Sequence, residues 1–210
     1  MGRNLKSQMS KSEYKNNCMK IKFLMLVFVL LAVASCKKDD TTSTTSVKHV
    51  LGETFQGGKV AYILQAGDAG YNASIQHGII AAPSDQSAGI SWIINSSSPQ
   101  TDATSLAIGS GNANTNKIVA AYGNGNYAAK LCSDLVLGGY SDWYLPSIEE
   151  LMKLYDNRSL IGGFTGGWYW SSTEDVPSNS SHAWCVYFDV GQSFSEMKDG
   201  VYLVRAVRSY

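Results

Sequence analysis

Basic charge, cysteine and long apolar runs are all scarce in this sequence. Its 210 residues hold 17 Lys and Arg against 17 Asp and Glu, so the chain is formally neutral. That neutrality hides an uneven distribution. Residues 1–36 carry Arg3, Lys6, Lys11, Lys15, Lys20 and Lys22 against Glu13 alone. The remainder holds 11 basic and 16 acidic residues, a net charge of −5. A chain of that sign lacks the basic face that nucleic acids and sulfated polymers require, so no nucleic-acid partner is expected.

Cysteine is limited to Cys18, Cys36, Cys132 and Cys185. There is no Cys-x-x-Cys and no His-x-x-x-His, so neither a zinc site nor any other metal or cofactor is expected. Cys132 and Cys185 stand 53 residues apart. They read either as a disulfide or as two separate buried thiols. Separate thiols are favoured, because Cys132 falls in a helical pattern and Cys185 in a strand pattern. Signals for catalysis are equally thin. No Gly-x-Ser-x-Gly elbow exists, and Gly109-Ser110-Gly111 lacks the lysine and context of a phosphate loop. A polysaccharide hydrolase would need two carboxylates, for which Glu149, Glu150, Glu174 and Asp175 are the candidates. Glu150 is already used in a helix cap. A binding module is therefore the main expectation. The alternatives are a hydrolase or a purely structural subunit of a surface assembly.

The run from Phe23 to Val33 is apolar over 11 residues. A spanning helix needs roughly 20, so the run reads as the h-region of a secretory signal behind a basic n-region. Val33-Ala34-Ser35-Cys36 closes it and resembles the bacterial lipobox. That resemblance implies a signal peptide over 1–35, acylation of Cys36 by palmitate-type chains, and membrane attachment through lipid. Lys37-Lys38-Asp39-Asp40 resembles the surface-export signal of Bacteroidota-type lipoproteins. It implies an outer-membrane lipoprotein facing the cell exterior. Thr41 to Ser46 has nothing apolar to bury and reads as tether. Lipidated cysteine and tether together span 36–49, and the folded domain spans 50–210.

Within the domain, Lys59–Leu64, Gly78–Ala82 and Ser91–Ile94 read as strands, and 96–116 as a long surface loop. Helices follow over Asn116–Tyr122 and Tyr127–Leu135. A third begins after Pro146, where Ser147-x-x-Glu150 is a capping box. Trp168–Ser172, His182–Phe188, Gln192–Ser195 and Tyr202–Arg208 read as closing strands. Strands, then helices, then strands predict an α+β fold with an antiparallel sheet and two or three short helices.

Gly139-Tyr140-Ser141-Asp142-Trp143-Tyr144-Leu145-Pro146-Ser147-x-x-Glu150-Leu151 resembles the signature of the Lcl C-terminal-like domain, found at the end of bacterial collagen-like adhesins. Gly57-Gly58-Lys59-Val60-Ala61-Tyr62, His77-Gly78-Ile79-Ile80-Ala81-Ala82, Tyr169-Trp170-Ser171-Ser172-Thr173-Glu174, Ala183-Trp184 and Val204-Arg205-Ala206-Val207-Arg208 match in family order. The resemblance implies a C-type-lectin-like fold and a non-enzymatic adhesion role on surface polysaccharides. Two features depart from the adhesins: there is no collagen-like stalk, and the domain is acidic. The calcium-site triplets Glu-Pro-Asn and Gln-Pro-Asp are also missing.

Two groups of residues stand out. Asp142 and Trp143 read as a rim carboxylate with a sugar platform, or as a turn-binding carboxylate with a core tryptophan; the second is favoured. Pro146, Ser147, Glu150, Arg205 and Arg208 read as structural, with one arginine pairing a carboxylate such as Asp142 or Glu150. Strand alternation puts Trp168 and Trp170 on one face and Tyr169 on the other. Together with Glu174, Asp175 and Trp184 they are the ligand-binding candidates for a glycan, because indole and phenol rings join an apolar face to a polar edge. The competing expectation is that all three aromatics of that strand are core.

Overall fold

A computed structural model describes residues 47–95, 99–176 and 181–210. Cys36, the export signal and the tether to Ser46 lie outside the described residues, as do 96–98 and part of the polar loop before His182, at 177–180.

Among the described residues the domain has nine strands and four helices, an α+β arrangement. β1 (Thr54–Phe55), β2 (Gly58–Ile63), β3 (Gly78–Ala81) and β9 (Val207–Ser209) form one sheet in that order. β4 (Ser87–Ile90), β8 (Tyr202–Val204), β5 (Trp168–Asp175), β6 (His182–Tyr187) and β7 (Gln192–Met197) form the other. There are thus two sheets where one was expected. The second is mixed, because β5 and β8 run parallel at Tyr169 and Leu203. The helices are α1 (Gly111–Tyr122), α2 (Ala128–Ser133), α3 (Ile148–Asp156) and α4 (Arg158–Ile161). Four helices exceed the two or three predicted.

Two apolar cores sandwich the strands. On one side, Ile118, Ala128 and Cys132 of α1 and α2 pack with Trp92, Trp143, Trp170, Cys185 and Val204. On the other, Leu151 and Leu154 of α3 and Ile161 of α4 pack with Ile79, Tyr169, Val186 and Val207. Alternate residues of β3, β5 and β6 therefore enter opposite cores, and both faces of these strands are covered. The buried indoles keep their N–H groups satisfied. Trp92 donates to the Ser171 carbonyl at 2.7 Å, Trp170 to Ile90 at 3.0 Å and Trp143 to Leu137 at 3.3 Å. Burying a tryptophan without such a partner would leave an expensive orphan donor.

The capping box at α3 is present, with the Glu150 N–H donating to Ser147 Oγ at 3.3 Å and the Ser147 N–H to Glu150 Oε2 at 2.8 Å. Glu150 does more than close its own helix. Its carboxylate also accepts from the Gly109 N–H at 2.9 Å and from the Gly111 N–H, so it sits at the N-terminus of α1 too. A Cβ on Gly111 would lie 2.2 Å from Glu150 Oε2, which is why glycine opens α1. Burial pushes the Glu150 pKa above the usual carboxylate range, against the pull of those backbone donors.

Several expected boundaries move. α1 starts at Gly111, five residues before the predicted Asn116, because the Asn/Gly/Thr composition of its first turns masks the helical pattern. The strand expected at Ser91–Ile94 lies just ahead of it, at Ser87–Ile90. Tyr202–Arg208 is not one strand. The chain leaves the second sheet after Val204 and enters the first at Val207. His49, expected in the tether, stacks on Phe55 at 3.7 Å between ring centres.

Arg205 occupies that crossover and is fully buried. Its guanidinium donates to Asp85 at 2.8 Å, to the Ala82 carbonyl at 3.1 Å and to the Gly162 carbonyl at 3.2 Å, as well as to Gly163. It also lies over the Phe164 ring at 4.0 Å. Arg208, three residues on, pairs with both oxygens of Asp142 at 2.7 and 2.8 Å and lies over Tyr140 at 3.9 Å. Asp142 thus grips the final strand, and Trp143 beside it is core, only 2 % exposed.

Candidate functional site

β5 is the central strand on which the aromatic candidates sit. Tyr169 and Trp170 are both 0 % exposed, one in each core. Neither can serve as a surface platform. Glu174 and Asp175 are buried as well. The Glu174 carboxylate accepts from the Thr101 N–H at 3.0 Å, from Thr101 Oγ1 at 3.0 Å, and from the Lys198 ammonium. Lys198 in turn lies 4.6 Å from the centre of the Trp92 ring. Burial lowers the Lys198 pKa, opposed by its bond to Glu174. Asp175 accepts from Ser195 Oγ across the sheet. The outer half of β5 is therefore clamped by the 101–105 loop and by the end of β7, which explains why a run as polar as Ser171–Asp175 is buried.

Trp168 differs. It is half-buried, at the open end of β5, and aligned with Tyr187 of β6. The two rings stack at 4.7 Å, Tyr202 of β8 stacks on the other side at 5.7 Å, and Phe194 of β7 meets Trp168 edge-on at 5.0 Å. Four strands thus contribute one half-buried aromatic ladder. Carboxylates flank it. Tyr187 donates to Asp189, which raises the phenol pKa; Tyr202 is raised first by burial and then by Glu196. No Lys or Arg stands at the strand positions of this face, which run through 168, 170, 183, 185, 187, 192, 194, 196, 202 and 204. Trp184 is on the opposite face of β6 and packs with the second core, so it does not join Trp168 on one surface.

Tyr187, Phe194 and Tyr202 were not among the expected site residues. For Tyr187 and Phe194 the signal was available, since the β5–β6 and β6–β7 hairpins bring them level with or next to Trp168; Tyr202 arrives by the parallel β5–β8 pairing, which no local pattern announces.

The thiols are chemically quiet. Cys132 and Cys185 are both free and buried. Burial pushes the Cys185 pKa up to about 12 and that of Cys132 higher still, so neither forms a thiolate near neutral pH. Of the four carboxylates considered for hydrolysis, Glu150 is held by two helix N-termini, Glu174 by Lys198 and Thr101, and Asp175 by Ser195, while Glu149 is exposed on α3.

The sequence matches the Lcl C-terminal domain over residues 82–208. The chain belongs to this family. The match takes in both sheets' closing strands, all four helices and the Asp142–Arg208 pair. An Lcl C-terminal domain is adhesin-like and non-enzymatic, which fits carboxylates spent on caps and ion pairs. It acts at the cell surface on an extracellular ligand. No curated protein matches the chain at a significant level.

Proposed function

We propose that this Lcl C-terminal domain binds a neutral or weakly charged glycan on the aromatic ladder around Trp168, and that it does so from a lipid-anchored surface lipoprotein. One observation carries the binding reading. At the ladder four aromatic rings from four strands remain partly open to solvent together, with carboxylates rather than cations at their edges. Apolar ring faces take the C–H faces of sugars, and Asp189 and Glu196 accept from sugar hydroxyls. The same carboxylates repel sulfated chains. The fold reading is C-type-lectin-like, supported by the first and last strands sharing one sheet beneath a mixed second sheet.

Replacement of Trp168 with Ala, tested on a polysaccharide array with the full chain, is the deciding experiment. The variant should fold and lose glycan binding. Trp170→Ala should instead destabilise the domain by about 3–5 kcal/mol, the usual loss for a buried tryptophan. Unchanged binding by a folded Trp168→Ala protein overturns the reading. So does tight binding to heparin-like chains that disappears in moderate salt, since that is the signature of polyanion recognition. Lack of any glycan ligand would favour a structural subunit.

The anchor rests on Val33-Ala34-Ser35-Cys36 and on the Thr/Ser tether that follows. Cys36→Ala should release the protein from membranes. Membrane partition equal to the wild type would disprove lipid attachment. Outward orientation is read from Lys37-Lys38-Asp39-Asp40 and predicts that protease added to intact cells removes the domain. Protection until lysis would place it on the inner side.

A further inference from the structure

We propose that a second binding site, separate from the ring ladder, takes a single neutral sugar unit in the cleft between the β2–β3 loop and the last strand. The cleft has a volume of about 490 Å³ and is open at one side. That volume is within the range of small-molecule sites, roughly 300–1,000 Å³. Leu64, Ile79 and Tyr210 form its apolar walls, and His77 and Ser209 supply its polar side chains. No Asp, Glu, Lys or Arg lines it.

The hydrogen-bond geometry fixes what those polar groups offer. His77 Nδ1 lies 3.1 Å from the Tyr210 carbonyl oxygen. A carbonyl can only accept, so the neutral ring carries its proton on Nδ1 and leaves a lone pair on Nε2. Ser209 Oγ lies 3.0 Å from the Tyr144 hydroxyl, which donates towards Glu150 at 3.4 Å. Ser209 therefore donates to Tyr144 and keeps its own lone pairs for a ligand. The cleft thus presents two acceptors between apolar walls.

Two acceptors between apolar walls, with no Lys or Arg side chain, select a ligand rich in O–H groups and without negative charge. A sugar ring has that chemistry. A sulfated sugar or a uronic acid would bring an anion into a cleft with no cation to receive it, and burying an unpaired charge is costly. Gly109 and Ala69 both line the cleft and lie close together: a Cβ placed on Gly109 would be 3.4 Å from the Ala69 Cβ, so bulk at Ala69 fills the cleft.

The test uses the full chain in a sugar-free detergent and saturation-transfer NMR. The probes are the methyl glycosides of glucose, galactose, mannose and N-acetylglucosamine, each compared with glucuronic acid and glucose 6-sulfate. At least one neutral glycoside should bind, and the charged sugars should bind more weakly. In the Trp168→Ala background, which removes the ladder's contribution, Ala69→Trp should abolish the signal. Ser209→Ala adds no bulk and should weaken binding about tenfold, the loss expected for one hydrogen bond. Trp168→Ala should leave cleft binding intact, so failure here and failure of the ladder are read separately. Absence of binding by all four neutral glycosides overturns the proposal. It is equally overturned if binding in the Trp168→Ala background survives both Ala69→Trp and Ser209→Ala, or if Trp168→Ala alone removes it.

Discussion

Replacing Arg205 with Met should be among the most damaging single changes in the domain. The side chain is 0 % exposed and makes an ion pair with Asp85, itself only 12 % exposed. Methionine fills much of the same volume, so cavity formation contributes little. What is lost is the cation. Asp85 is left with the Tyr169 hydroxyl, at 2.8 Å, as its remaining side-chain partner, and the carbonyls of Ala82, Gly162 and Gly163 each lose a donor. Breaking a buried pair by removing one partner costs about 3–5 kcal/mol. For a domain of this size that corresponds to a fall in Tm of roughly 8–16 °C. Lysine retains the charge but is a point donor and cannot reach acceptors on three sides, so Arg205→Lys should recover less than half of the loss. Denaturant unfolding followed by tryptophan fluorescence measures both. Asp85→Asn completes a double-mutant cycle and should show a coupling of 1 kcal/mol or more, as about expected for residues in one network. Stability of Arg205→Met within about 1 kcal/mol of wild type would refute the reasoning, because it would mean the pair merely offsets its own desolvation.

Ser147→Ala removes a cap and also the donor to the Ala107 carbonyl at 2.9 Å, so it should cost about 1–2 kcal/mol in thermal unfolding while glycan binding stays unchanged. Loss of binding without a change in melting would instead put Ser147 in a ligand site. The Asp142 pKa is held low, chiefly by its hydrogen bond to Arg208. Because its folded value lies below its unfolded value, the stabilisation is present above the ordinary carboxylate pKa and disappears as pH falls through the depressed one. Urea midpoints of wild type and Asp142→Asn should therefore differ near neutral pH and converge in acid. A gap that widens on acidification would contradict the sign of the shift.

Local chemistry was legible in the sequence where it depended on short spacing. The Ser147–Glu150 cap is three residues wide, and the turn before Pro146 marks its own helix start. Pairing of one closing arginine with Asp142 was also within reach, because that motif offers few other partners. What escaped was anything decided by how sheets are covered. Alternation correctly separates Trp168 and Trp170 from Tyr169, but it cannot reveal that a core lies on each side. Glu174 looked like a surface carboxylate because Lys198, its partner, is 24 residues away in the turn after β7. The break at Arg205-Ala206 has no Gly or Pro to announce it; hydrogen bonds of the guanidinium, not turn residues, hold the chain as it changes sheet. The ladder was half seen, since Trp168 was named and its three neighbours were not.

The position of β9 has a kinetic consequence. Its neighbour in the sheet is β3, and His77 bonds to Tyr210 across 133 positions of sequence. The first sheet therefore cannot close until residues 207–209 are available, and the loop that must be closed runs from 82 to 206. Contacts of such long range make folding slow, since the entropy of closure is spent before pairing returns it. A chain emerging from a ribosome or a membrane pore would hold β1, β2 and β3 waiting, with β3's outer edge unpaired, until residues 207–209 arrive. Removing those last residues should then arrest the domain as a partly folded species with an open strand edge, rather than merely trim its surface.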